Sequence, residues 1–141
     1  MPAITPVFDG HNDTLLRLHL SNSADPVGDF LNGGAGGHID LPRATAGGLR
    51  AALFAIFIPS PGKQADVDEI MSRTSYDAPL PERCAQEAAL GQTLAMAAIL
   101  FRIEDASKGR VKVCRKAAEI SATADAGNLA AVLHIEGAEA I

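Results

Sequence analysis

The sequence predicts an α/β fold built on a parallel sheet, and three observations carry that reading. Three short segments are apolar on both faces, helical patterns separate the second from the third, and long polar loops leave the first two. A strand with one wet face alternates, whereas a strand in a parallel sheet covered on both sides is apolar almost throughout. The first segment covers residues 4–8, broken by Thr5 and Pro6, and the second, residues 51–58, does not alternate at all. The third, residues 129–135, is interrupted only by His134.

Between the second and third segments, Pro81 and Glu82 suit a helix start. Proline fixes φ where a missing N–H does no harm, and Glu favours the positive end of the helix. Leu90, Leu94, Ala97 and Phe101 follow at 4-3-4 spacing, which predicts one apolar stripe of a helix running to about Ala106. A second helix is expected over residues 116–126, with Gly127 as its left-handed C-terminal cap. Residues 21–37 and 59–79 are rich in Gly, Asn, Asp, Pro and Ser and read as long loops. Both leave C-terminal ends of strands, the side on which α/β enzymes assemble their sites.

With 141 residues, 48% hydrophobic and 21% charged, the chain has the composition of one globular domain. Twelve Lys+Arg against 17 Asp+Glu leave a charge of −5, and Trp is absent, which argues against a nucleic-acid binder. Cys84 and Cys114 are far apart and form no CxxC pair, so reduced, packed thiols are expected. No basic-then-apolar leader opens the sequence, and no apolar run approaches the ~20 residues of a membrane span. A cytoplasmic location with no membrane partner is the expectation.

The residues able to carry chemistry cluster at strand exits. His11 and Asp13 are one residue apart, so on extended backbone both point to one side, about 6–7 Å apart at Cα. That is a workable bite for an imidazole and a carboxylate on one divalent metal. The alternative for Asp13 is a plain N-cap of a helix starting at Thr14. Glu136 follows a largely apolar strand and precedes Gly137, where an unpaired carboxylate needs a cation, a hydrogen-bond network or water. His134 shares its face and reads as a hydrogen-bonded core histidine. A second HxD, His38 and Asp40, precedes the second strand, where a structural role pinning Arg43 or the loop is favoured. His19 reads as a boundary residue. No helical zinc-protease, nucleophile-elbow or phosphate-loop motif is present in the sequence.

Three blocks together resemble the membrane dipeptidase (renal dipeptidase) family of zinc metallopeptidases. They are Phe8 to Leu15 with its Asp-Gly-His-Asn-Asp core, Gly37 to Arg43 before a strand ending at Pro59, and Ile135-Glu136-Gly137. The resemblance implies the N-terminal part of a (β/α)8 barrel, about three parallel strands with covering helices, and a single partial domain over residues 1–141. It implies Zn2+ as cofactor, two ions in the complete enzyme, with His11 and Asp13 on the first and Glu136 bridging both. It implies a small dipeptide as substrate and leaves a homodimer open. The family's enzymes are more than twice as long, and their remaining zinc ligands, acid/base and substrate-gripping groups belong to later strands. The chain is therefore expected to contribute metal ligands only and to be inactive alone. Another metal-dependent barrel hydrolase, or a non-catalytic binding module, are the alternatives.

Overall fold

The computed structural model describes residues 4–34, 36–61, 67–77, 80 and 82–141. The elements run β1 (Val7–Asn12), α1 (Thr14–Leu20), α2 (Pro26–Asn32), α3 (Leu41–Ala46) and β2 (Leu49–Ile56). There follow α4 (Val67–Met71), α5 (Gln86–Ala106), β3 (Val111–Val113), α6 (Ala117–Asp125) and β4 (Leu129–Ile135). All strand pairings are parallel, in the order β1-β2-β4-β3. The α/β parallel architecture is the expected one, with four strands among the described residues in place of about three.

The central pair fits the sequence best. β2 and β4 run in register from Ala51 against Ala130 to Ile56 against Ile135, and Glu136 N–H extends the ladder by donating to Ile56 O at 3.0 Å. Ala52, Phe54 and Ile56 of β2 and Leu129 and Ala131 of β4 enter the main core. That core is closed by Leu15 and Leu18 of α1, Phe30 of α2, and Met96, Leu100 and Ile103 of α5. Phe30 and Phe54 meet edge to face, with ring centroids 6.1 Å apart. On the opposite sheet face, Ala51, Ala130 and Cys114 form a smaller cluster under Ile120 of α6. Cys84 and Cys114 are unpaired, as expected.

The other elements depart from expectation for identifiable reasons. β1 occupies Val7–Asn12, not residues 4–8. It lies at the sheet edge, where exposed side chains such as Val7, Phe8 and His11 are tolerated, so its sequence need not be apolar. The missed strand, β3, has three residues, too few for a periodic signal. Glu104 on α5 holds it: its Oε1 accepts from Val113 N–H and from Lys112 Nζ, both at 2.9 Å.

The expected start of α5 at Pro81 and Glu82 is not found. Pro81 lies outside the described residues, residues 82–85 are not helical, and the helix begins at Gln86. Its predicted stripe is also the wrong one. Leu90, Leu94 and Phe101 are exposed, and the buried line is Ala89, Thr93, Met96, Leu100 and Ile103.

α6 sits where expected, with Gly127 at φ +79° after its C-cap. Each presumed long loop contains a short helix, α2 in residues 21–37 and α4 in residues 59–79. Among the described residues, no helix is long and apolar enough to cross a membrane.

Candidate metal centre

Two strand exits bring the predicted ligands together. β1 ends at Asn12, so His11 lies on the strand and Asp13 is the first residue beyond it. Glu136 is the first residue beyond β4, two strands away across β2. His11 Nε2 lies 3.6 Å from an Asp13 oxygen and 3.5 Å from a Glu136 oxygen. One ligand atom from each residue falls within 4.8 Å of the other two.

These spacings are long for hydrogen bonds, which favour about 2.7–3.2 Å. The two distances from His11 fit the edge of a tetrahedron around an ion bound at about 2.0–2.2 Å, which is about 3.3–3.6 Å. The side chains are 45%, 56% and 43% exposed, so an ion could enter from solvent without opening the core. The donor set of one imidazole nitrogen and two carboxylate oxygens suits zinc.

The local chain explains why Asp13 is available. It occupies the N-cap position of α1, yet its side chain makes no capping hydrogen bond. The role is taken by Asn12, whose Oδ1 accepts from Thr14 N–H at 3.2 Å. The same amide donates through Nδ2 to Asp9 Oδ2 at 2.8 Å and to Leu53 O on β2 at 3.1 Å. Asn12, buried between the two candidate ligands, thus ties the end of β1 to the central strand and leaves Asp13 free. Sequence reasoning missed it. The available signal was an amide, able to donate and accept at once, placed between two candidate ligands.

His134, expected to be a hydrogen-bonded core histidine, is neither. It is half-buried, makes no side-chain hydrogen bond among the described residues, and its ring stands edge to face with His11 at 6.1 Å. His19 is half-buried on α1, as a boundary residue should be.

The second HxD is structural. Asp40 is buried, caps α3 by accepting from Arg43 N–H at 2.9 Å, and pairs with the Arg43 guanidinium at 2.6 Å. Arg43 in turn donates to Gly37 O, and His38 is exposed.

The Arg43 side-chain hydrogen bond, opposed by burial, holds the Asp40 carboxyl below the usual carboxylate range. A depressed folded-state pKa contributes stability that is complete above the unfolded value, about 3.9, and is lost as pH falls through the folded one. Asp40→Asn should therefore be less stable than the parent at pH 7 by about 1–2 kcal/mol, modest because Arg43 is half exposed. The gap should close below about pH 4. Urea unfolding from pH 7 to pH 2 checks this, and a gap that stays constant over the range refutes it.

Comparisons with known proteins show what the chain is similar to. The model of the membrane dipeptidase family, peptidase family M19, matches residues 2–141. A solved M19 metallopeptidase, dipeptidase AC, is 44% identical with a TM-score of 0.87, over 99% of this chain and 39% of its own. A Rhodobacter sphaeroides metallopeptidase, solved with a phosphinate mimic of the dipeptide L-Ala-D-Ala, is 43% identical with a TM-score of 0.88, over 99% of this chain and 40% of its own. An uncharacterised Acinetobacter calcoaceticus protein from the PQQ-III 3' region is 34% identical over 99% of this chain and 43% of its length. The chain thus spans about two-fifths of the proteins it matches. With the matched residues running from 2 to 141, the chain belongs to the membrane dipeptidase family, peptidase family M19.

Proposed function

We propose that this chain supplies part of the metal centre of a zinc-dependent dipeptidase, with His11 and Asp13 on one ion and Glu136 bridging to a second. The observation that carries the reading is the convergence of His11 Nε2 with one oxygen each of Asp13 and Glu136 within 4.8 Å. The ligand of the Rhodobacter relative, a dipeptide mimic, supports a small dipeptide as substrate. Bound zinc supplies a water that ionises near neutral pH and a Lewis acid for the peptide carbonyl.

The chain's own residues hold that chemistry in place. His11 would hold the metal as the neutral imidazole through Nε2, the nitrogen that faces Asp13 and Glu136. Asp13 binds ionised, and its carboxylate is free because Asn12 caps α1. Glu136, its backbone fixed to β2 by its own N–H, would hold metal through its carboxylate oxygens. The group that passes a proton to the leaving amine is assigned to no residue of this chain. Three ligands among the described residues fall short of a binuclear set, so the 141-residue chain alone binds no second zinc, holds the one loosely and does not turn over dipeptides.

Two arms test the proposal. The purified chain, assayed with zinc and a panel of dipeptides, should show no turnover. A chimera in which residues 2–141 replace the matching part of dipeptidase AC should hydrolyse dipeptides and lose that activity with Glu136→Ala. Turnover by the chain alone overturns the ligand shortfall. A folded, zinc-loaded chimera that is inactive beside an active parent overturns the dipeptidase reading.

A further inference from the structure

His134 is the one histidine near the centre that the ligand set leaves unused. It lies two residues before Glu136 on β4, in register with Ala55 of β2. Ala55 is fully buried and small, and β2 separates β4 from β1. Across that strand the His134 and His11 rings meet with centroids 6.1 Å apart and planes at 80°. This is the edge-to-face arrangement that aromatic pairs favour, positive edge against negative face.

The contact matters because of what His11 lacks. A metal-binding histidine commonly donates its second ring N–H to a carbonyl or carboxylate, which fixes the ring plane and the tautomer. Among the described residues, the acids within ion-pair distance of the His11 ring are Asp13 and Glu136, and both are reached through Nε2. The His11 side chain is also 45% exposed. Without a ring packed against it, the imidazole could turn about its terminal torsion, which is broad for histidine, and carry Nε2 away from the two carboxylates.

We propose that His134 is a positioning residue: its ring fixes the plane of the His11 imidazole and so aims Nε2 at the point shared with Asp13 and Glu136. The inference rests on the metal-centre reading and adds to it the means by which its one nitrogen ligand is oriented. The ring, not its nitrogens, does this, so another aromatic ring can substitute. Placement on β4 also ties two ligands together, since the strand that carries Glu136 carries the wall against which His11 rests.

The test compares His134→Ala, His134→Phe and His11→Ala in the 141-residue chain, with zinc affinity read by chelator competition. A second readout needs no metal: the ring-proton shifts of His11 in the zinc-free chain, which sense the current of a neighbouring ring. His134→Ala should weaken zinc by about 10–100-fold, the effect typical of losing a ligand's orienting partner. It should also move the His11 ring shifts toward free-histidine values. His134→Phe should restore both, with affinity within about threefold of the parent, a small residue of the His134→Ala loss. Unchanged affinity in His134→Ala overturns the inference while leaving the metal centre standing, provided His11→Ala loses zinc. Loss in His134→Phe equal to that in His134→Ala overturns it in favour of a nitrogen-borne role. A parent chain that binds no zinc overturns the metal-centre reading, and the inference with it.

Discussion

Replacing His11 with Ala is expected to weaken zinc binding by more than about 100-fold, since losing even a ligand's outer partner typically weakens binding 10–100-fold. Glu136→Ala should do the same. The zinc-free proteins should behave differently. His11 and Glu136 are each more than two-fifths exposed, and substitutions at such positions usually change stability by less than about 0.5 kcal/mol. Without an ion, Asp13 and Glu136 also hold like charges near one another, so removing either acid relieves repulsion. The expected signature is a zinc-free melting temperature close to the parent's, slightly above it for Glu136→Ala, with the rise on adding zinc abolished. A ligand that binds only the folded state raises stability by RT ln(1 + [L]/Kd), so thermal melts across a zinc series measure the loss directly. Metal analysis that finds undiminished zinc in either variant would refute the assignment.

The candidate ligands were legible because they fall on strand exits, where a short motif and an apolar run meet. β2 and β4 are buried in the middle of the sheet, so their sequences are nearly pure core, and Glu136 stands out as the first charge after β4. β1 hid its true extent for the opposite reason: as an edge strand it includes Asp9, Gly10 and His11, which break any apolar pattern. Asn12 was invisible because its role depends on Leu53, forty-one residues away, being brought alongside by strand pairing. The role of His134 is likewise tertiary, set by the small residue at position 55 across which it reaches β1. Its half-buried apolar setting looks, in sequence, like any core position.

The largest stability effect is expected on α5, where two stripes of the same spacing compete. Leu90, Leu94, Ala97 and Phe101 form one line, and Ala89, Thr93, Met96, Leu100 and Ile103 form another rotated by one residue, about 100° around the axis. Periodicity cannot choose between two such lines on a helix that is apolar nearly all round. Packing chooses the second, because its residues meet Leu15, Phe30 and Phe54 in the main core. Leu100 is fully buried while Leu94 is 60% exposed. Leu100→Ala should therefore destabilise the chain by about 2–5 kcal/mol, combining lost transfer energy with the cavity left behind. Leu94→Ala should change stability by less than about 0.5 kcal/mol. Against a total of about 5–15 kcal/mol, the first is a large fraction and the second is small. Urea unfolding of the two variants side by side decides the matter. Equal losses would mean that both faces of α5 are packed in solution, in which case another surface covers the Leu90, Leu94 and Phe101 side.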